Sequence, residues 1–174
     1  LKKTSISDIL NYIGKGGGCL KKFFCFLLLL LLSTYNISYA EELNLSGEGA
    51  ILIDMDTGQV LYAKNPHMKL QPASTTKIMT GILAIENGNM EDYVTVDEEV
   101  IHLTDGSHIA LEPEEQVKFE DMLYALLIES ANDAALALAK HISGSIDGFV
   151  NLMNEKAKEV GALNTNFENP NGLT

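Results

Sequence analysis

The stretch Pro72-Ala73-Ser74-Thr75-Thr76-Lys77-Ile78-Met79-Thr80 is the most informative part of this 174-residue chain. Apolar residues at helical spacing between Ile78 and Ile85 predict a helix over about Ser74–Glu86, and Asn87-Gly88 supplies a C-terminal stop. Almost no charge lies inside this helix except Lys77, and a helix that is apolar on most sides is expected to be buried. A charged lysine in its first turn is therefore unexpected unless it has a specific role.

Ser74 and Lys77 are three residues apart at the predicted helix start, so their side chains share one face and can touch. A serine hydroxyl is a poor nucleophile until a base removes its proton, and a lysine buried among apolar side chains has a lowered pKa and can be that base. The helix N-terminus also offers N–H groups to an oxyanion. The spacing is common, however, and is also consistent with a Ser74 that only caps the helix.

A second polar feature interrupts an apolar helical stretch further along the chain. Residues 118–127 predict one helix, and another is expected over Asp133–His141 with its first residue as the N-cap. Ser130-Ala131-Asn132 lies between them, which is unfavourable for burial unless the polar groups have partners. A last helix is expected over about Ile146–Val160, followed by Gly161 as its C′ residue.

Sheet precedes these helices. The β-prone runs Ala50–Met55 and Gln59–Ala63 flank the turn-forming residues Asp56-Thr57-Gly58 and predict a β-hairpin. A short strand near Tyr93–Val96 and a small helix over about Asp97–Leu103 are expected in between. The order of elements predicts an α/β domain that starts with a hairpin and continues as a cluster of helices.

The composition excludes several classes of function. Residues 41–174 carry seven lysines and no arginine against 23 acidic residues, so a surface for nucleic-acid phosphates is not expected. Both cysteines, Cys19 and Cys25, precede this part and leave it no thiol for a disulfide, an iron–sulfur cluster or a zinc site. The four histidines are scattered without metal-ligand spacing, so no metal site is expected.

The N-terminus predicts export. Lys21-Lys22 precedes the apolar run Phe23–Leu32, and Ser38-Tyr39-Ala40 places small residues at the two positions that a signal peptidase inspects. We therefore expect residues 1–40 to be a signal peptide that is cleaved after Ala40. A membrane anchor is the alternative, but ten strongly apolar residues are half of the roughly twenty needed to cross a hydrocarbon core.

The joined motifs resemble a known family. Ser74-x-x-Lys77 and Ser130-x-Asn132 each occur once, in an order and context that resemble the D-alanyl-D-alanine carboxypeptidases, the low-molecular-mass penicillin-binding proteins. The resemblance covers nearly all of residues 45–174 and includes Glu112-Pro113 with Glu115, Tyr124-Ala125-Leu126-Leu127, Met153-Asn154-Glu155-Lys156-Ala157 with Gly161, and Phe167 through Asn169-Pro170-Asn171-Gly172-Leu173. It implies the fold of the penicillin-binding proteins and serine β-lactamases.

The resemblance also implies a role for each site residue. Ser74 would be the acylated nucleophile and Lys77 its general base. Ser130 would relay a proton toward the leaving amine, and Asn132 would hydrogen-bond the substrate amide. The backbone N–H of Ser74 would supply half of the oxyanion hole, and no cofactor is implied.

The implied activity is removal of the terminal D-alanine from peptidoglycan pentapeptides through an acyl-serine intermediate. The implied partners are stem peptides that end in D-Ala-D-Ala, with β-lactams as inhibitors that acylate the same serine, and no nucleic acid. The protein would act outside the cytoplasmic membrane, at the cell wall. Many such proteins carry a membrane-binding helix after the catalytic domain, which implies peripheral membrane association for a longer form.

One motif of the family is absent, because neither Lys-Thr-Gly nor Lys-Ser-Gly occurs in residues 1–174. In the family it lies on a later strand, which donates the second oxyanion N–H and holds the substrate carboxylate. We therefore expect residues 41–174 to be a truncated catalytic domain, with the hairpin and helical lobe but not the later strands, and to show no turnover alone. One alternative is a non-catalytic fragment. Another is a β-lactamase, with Glu168 as the downstream glutamate that activates water.

Overall fold

The computed structural model describes residues 43–173 together with Phe23, Phe24 and Leu27. Apart from those three residues, the predicted signal peptide and its cleavage site lie outside the described residues. Within this described part, no helix is both long enough and apolar enough to cross a membrane. The chain divides into two compact units, residues 1–64 and 65–174, and the four predicted site residues all belong to the second.

The first unit contains the predicted hairpin. Strands β1 (Ala50–Ile53) and β2 (Val60–Lys64) pair in antiparallel fashion. The carboxylate of Asp54 organises the turn by accepting hydrogen bonds from the N–H and the hydroxyl of Thr57, at 2.8 and 2.5 Å. These bonds stabilise the ionised carboxylate and lower the pKa of Asp54. Gly58 completes the turn in the left-handed conformation, at a φ of 71°.

The second unit is a cluster of helices with one small sheet. Its elements are a 3-10 helix (Ala73–Thr76), α1 (Lys77–Asn87), β3 (Tyr93–Thr95), α2 (Glu98–Leu103), β4 (Gln116–Lys118), α3 (Phe119–Ile128), α4 (Asn132–Ser143) and α5 (Ile146–Glu159). The predicted helices and the predicted strand are confirmed to within a few residues. Strand β4, which pairs antiparallel with β3, was not predicted, because three residues are too few to show an alternating pattern.

Helix α4 forms the centre of this unit. Its first eight residues, 132–139, are all buried, and helices α1, α2, α3 and α5 pack around it. Small side chains make this close packing possible, since Ala134, Ala135, Ala137 and Ala139 are at most 2% exposed. The large core side chains Phe119, Met122, Phe149 and Met153 fill the spaces around them and are fully buried. A polar residue at the start of α4 is therefore held in the interior.

Helix α1 is buried on one face only, so its expected burial is confirmed for that face and not for the opposite one. Ile78, Ile82 and Ile85 are 62%, 39% and 57% exposed. The described neighbours α3, α4 and α5 cover the opposite face, which carries Leu83 and Ala84. The functional consequence is unaffected, because Lys77 lies on the covered face.

Candidate active site

The 3-10 helix and α1 bring Ser74 and Lys77 into direct contact. The Lys77 amine donates a hydrogen bond to Ser74 Oγ over 3.2 Å. Ser74 is exposed, whereas Lys77 is only 3% exposed. Burial disfavours the ammonium form and lowers the pKa of Lys77 from the ordinary lysine value of 10.5. The hydroxyl of an exposed serine thus contacts an amine whose burial favours the neutral form.

Ser74 does not cap the helix, so the alternative interpretation of this residue is wrong. Pro72 occupies the N-cap position of the 3-10 helix, and no side chain makes a capping hydrogen bond there. The first hydrogen bond of the turn runs from the N–H of Thr75 to the Pro72 carbonyl, over 3.2 Å. The N–H of Ser74 lies ahead of that bond, at the positive end of the helical segment, where N–H groups lack partners within the helix.

A segment from the far end of the described chain returns to this point. In this returning segment, residues 167–173, the Asn171 carbonyl accepts a second hydrogen bond from the Lys77 amine over 3.2 Å. The Pro170 carbonyl accepts one from the Thr80 hydroxyl over 2.6 Å. Sequence reasoning singled out these residues only as part of a resemblance and missed their contact with the lysine. Both acceptors are backbone carbonyls, so no side-chain pattern could have revealed the contact.

Ser130 lies at the predicted break between two helices. Its φ of 55° is left-handed, a conformation usually taken by glycine or asparagine after a helix. The chain leaves α3 here, and the N–H of Ala131 donates back to the Ala125 carbonyl over 3.1 Å. The Ser130 side chain is partly exposed. Among the described residues, no hydrogen bond joins it to Ser74 or Lys77.

Asn132 begins α4 and is only 3% exposed. Its amide nitrogen donates to the Asp105 carbonyl over 2.5 Å, and its backbone N–H donates to the Ser107 carbonyl over 2.8 Å. The side-chain oxygen is buried and accepts no hydrogen bond from the described part of the chain. Buried polar atoms are nearly always paired, so an unpartnered acceptor at this position is unusual.

Asp133 does not cap α4, which corrects the sequence-based expectation. The N-cap is Ala131, and the carboxylate of Asp133 is buried, with 1% of the residue exposed. It accepts hydrogen bonds from the backbone N–H groups of Ile109 and Leu111, each over 3.1 Å, and of Ala134 over 2.8 Å. The side chain thus holds the loop that precedes β4 against α4. No local sequence pattern reveals that this loop is the partner of Asp133.

That loop also connects the two halves of the site. A Cβ at Gly106 would lie 3.1 Å from Asn132 Nδ2 and 3.4 Å from a methyl carbon of Leu173. The loop therefore lies between Asn132 and the returning segment, which itself contacts Lys77. The structure joins Ser74 to Lys77 directly and relates Asn132 to them through these packed backbone segments.

Other candidate groups are less organised. Within the part of the chain that the structure describes, no three histidine, aspartate or glutamate side chains are grouped so that they could hold a metal ion. The side chain of Glu168, the candidate for a β-lactamase mechanism, is exposed. The organised site is thus the one built around Ser74.

A serine hydroxyl hydrogen-bonded to a buried lysine, both at the start of a helix, is an arrangement in which a lysine can act as the base for a serine nucleophile. The family described as D-alanyl-D-alanine carboxypeptidase matches residues 36–174. The chain belongs to this family.

Individual relatives agree with this assignment. The chain is 48% identical over 138 residues to D-alanyl-D-alanine carboxypeptidase DacF of Bacillus subtilis (strain 168), covering 76% of this chain and 35% of that protein. It is similar in structure to D-alanyl-D-alanine carboxypeptidase DacD from Francisella tularensis (TM-score 0.73, 33% identity, 79% of this chain and 34% of that one). It is also similar to penicillin binding protein 5 from Haemophilus influenzae (TM-score 0.71, 33% identity, 78% and 41%). The predicted fold class is confirmed, and the chain spans less than half of the length of the curated relatives named in the comparison, for example 35% and 39% of two of them.

The anchoring role of Asp133 generates a stability prediction. Asp133→Ala leaves buried N–H groups without an acceptor, so the free energy of unfolding should fall by about 2–4 kcal/mol. Asp147→Ala is the matched control, because Asp147 also lies in the first turn of a helix but is exposed. It should change stability by about 0.5 kcal/mol or less. Urea denaturation of the three proteins measures both effects, and equal losses in the two variants would contradict the role given to Asp133.

Proposed function

We propose that this chain carries the nucleophile of a serine D-Ala-D-Ala carboxypeptidase, which removes the terminal D-alanine of peptidoglycan pentapeptides through an acyl-serine intermediate. The single observation that carries the proposal is the 3.2 Å hydrogen bond between the exposed Ser74 hydroxyl and the buried Lys77 amine. Membership of the D-alanyl-D-alanine carboxypeptidase family supports this choice of reaction among the possible acyl transfers.

In the acylation step, the neutral Lys77 amine takes the proton of the Ser74 hydroxyl while Ser74 Oγ attacks the carbonyl carbon of the penultimate D-alanine. The carbonyl oxygen becomes an oxyanion. The N–H of Ser74 is one donor for this oxyanion, because it precedes the hydrogen bonds of the 3-10 helix. In this proposal the second donor comes from a part of the protein beyond residues 1–174, which lack the Lys-Thr-Gly motif.

Collapse of the tetrahedral intermediate then breaks the peptide bond. The terminal D-alanine leaves as an amine that must gain a proton, and the Lys77 ammonium holds the proton taken from the nucleophile. Ser130 is proposed to pass this proton to the leaving nitrogen through its hydroxyl. Water then hydrolyses the ester on Ser74 and restores the free hydroxyl.

Asn132 is proposed to align the substrate. Its buried oxygen can accept a hydrogen bond from a backbone N–H of the stem peptide, while its nitrogen is fixed by the Asp105 carbonyl. Because one end of the amide is already held, the other end is oriented before the substrate arrives. An acceptor that is buried and oriented costs little reorganisation when the reaction begins.

The inhibitors proposed for this protein are β-lactams, which would react at the same site. A β-lactam presents a strained amide to the same nucleophile, so it should acylate Ser74 as the peptide does. The substrates belong to the peptidoglycan layer, which places the proposed action outside the cytoplasmic membrane and agrees with the signal peptide expected over residues 1–40.

The proposed base generates the first functional prediction. In the full-length protein, Lys77→Ala should lower the rate of acylation of Ser74 by benzylpenicillin by roughly 10²–10⁴-fold, because no base then removes the hydroxyl proton. Intact-protein mass spectrometry over a time course measures this rate. Lys118→Ala is the control, since Lys118 pairs with Glu91 and Glu120 on the surface. The rate of Ser74 acylation in this variant should be unchanged. Undiminished labelling of the Lys77→Ala protein would show that another group takes the proton.

A pH dependence follows from the lowered pKa of Lys77. Acylation requires the neutral amine, so its rate should rise with pH and reach a plateau above the pKa of Lys77. Because burial lowers this pKa, the midpoint of the rise should lie below the ordinary lysine value of 10.5. Stopped-flow acylation with a chromogenic cephalosporin between pH 5 and 10 measures the midpoint. A rate that falls as pH rises through this range is incompatible with Lys77 as the base.

Export generates a further prediction. The mature protein should begin at Glu41, because the Ser38-Tyr39-Ala40 sequence fits the cleavage preference of a signal peptidase. N-terminal sequencing of the protein from the cell envelope decides this point. A mature N-terminus upstream of Phe23 would favour the membrane anchor instead.

A further inference from the structure

The returning segment meets the nucleophile region with its backbone. Two of its carbonyls, those of Pro170 and Asn171, accept hydrogen bonds from Thr80 and Lys77. At the next residue the two backbones almost touch, since a Cβ on Gly172 would lie 1.9 Å from the carbonyl oxygen of Ala73. A distance under 3.0 Å to a backbone atom cannot be accommodated without movement. Only glycine therefore fits between this segment and the residue that precedes Ser74.

Side-chain amides hold the returning segment in this shape. Asn169 Oδ1 accepts a hydrogen bond from the N–H of Gly172 over 2.6 Å, and Asn169 Nδ2 donates to the Leu173 carbonyl. Asn154 on α5 fixes the start of the segment, because its amide exchanges two hydrogen bonds with the backbone of Phe167, at 2.8 and 2.9 Å. The Asn171 carbonyl is thus presented to Lys77 by a rigid turn rather than by a free chain end.

A neutral amine has two hydrogens and one lone pair, and its rotation about the Cε–Nζ bond decides where the lone pair points. If one hydrogen is directed to the Asn171 carbonyl, the lone pair can be directed to the Ser74 hydroxyl, as proton transfer requires. We propose that the returning segment is the positioning element of the general base, and that Gly172 is its essential residue. The inference rests on the proposed function of Lys77 as the base.

The carbonyl has a second consequence for the amine. Among the described residues, the amine makes hydrogen bonds to Ser74 Oγ and to the Asn171 oxygen, and burial is the cause of the lowered pKa of Lys77. A hydrogen bond from an ammonium to a carbonyl is stronger than one from an amine, so the Asn171 carbonyl stabilises the ammonium that forms during proton transfer. This carbonyl therefore opposes part of the lowering of the Lys77 pKa that burial causes. Moving it away should lower the pKa of Lys77 further.

The test compares two glycine variants of the full-length protein. Gly172 and Gly161 share a φ of 83°, so an alanine is strained equally by the backbone at either position. They differ in their surroundings, since a Cβ at Gly161 would meet nothing within 4 Å. Gly172→Ala should displace the Asn171 carbonyl, whereas Gly161→Ala should cost only the conformational strain.

Two readouts are made on each protein. The pKa of Lys77 is measured by NMR titration of ¹³Cε-labelled lysine, with the Lys77→Ala protein identifying the signal, and the rate of Ser74 acylation by benzylpenicillin is measured by mass spectrometry. Gly172→Ala should lower the pKa of Lys77 by about one unit and the acylation rate by about 10²-fold. Gly161→Ala should change neither. An unchanged or raised pKa of Lys77 in Gly172→Ala would overturn the inference.

A milder pair of variants keeps the test decisive if Gly172→Ala does not fold. Asn169→Ala removes the hydrogen bonds that shape the turn but adds no atom to it. Asn89→Ala is its control, because Asn89 also holds a turn through both atoms of its amide, with Asp92 and Glu91, in another part of the fold. A fall in the pKa of Lys77 in Asn169→Ala alone supports the inference, and equal behaviour of the two variants contradicts it.

The titration also separates this inference from the proposed function. It needs no substrate, so it reports the contact between the returning segment and Lys77 even if the protein does not release D-alanine. A wild-type protein that is not acylated, with a pKa of Lys77 that still falls in Gly172→Ala, would reject the proposed carboxypeptidase and keep the positioning contact. Acylation that is normal in Gly172→Ala would reject the positioning role and keep the carboxypeptidase.

Discussion

The burial of one amine, that of Lys77, is the constraint on which the site depends. A charged lysine taken out of water without a carboxylate partner is strongly disfavoured, so the side chain is driven toward the neutral form. Its hydrogen-bond partners in the described part of the chain are a hydroxyl and a backbone carbonyl, neither of which carries a full charge. Replacing either partner by a carboxylate would favour the ammonium and leave less of the neutral amine that the proposed reaction needs.

The hydrogen-bond partners of the Lys77 amine come from opposite ends of the second unit. The contact between Lys77 and Asn171 spans 94 residues, so it depends on how the intervening helices pack. Helix α4 makes this possible, because its alanine-rich surface lets both α1 and α5 pack closely against it. The position of the proposed base is therefore a property of the assembled helical cluster and not of its own helix.

Two adjacent polar residues at the start of α4, Asn132 and Asp133, have different hydrogen-bond partners. The Asp133 carboxylate accepts hydrogen bonds from the backbone of the loop before β4. A carbonyl of the same loop accepts a hydrogen bond from the side-chain nitrogen of Asn132. The Asn132 oxygen is left buried and unpaired among the described residues. A structural carboxylate thus fixes the orientation of an amide whose remaining acceptor faces a ligand in the proposed mechanism. The two residues are adjacent in sequence, and only their hydrogen bonds distinguish their roles.

The sequence by itself determined the hairpin, the main helices and the pair Ser74 and Lys77, because periodicity, turn residues and an i,i+3 spacing act over a few residues. It did not determine strand β4, whose three residues are too short to show a pattern, or the exposed face of α1, which depends on the neighbours that pack there. It assigned Asp133 to the wrong partner, since a helix cap is a local motif and the loop that competes for the carboxylate is more than twenty residues away. The tertiary structure alone decided that the Asn171 carbonyl meets Lys77, because a backbone acceptor has no side-chain signature in the sequence.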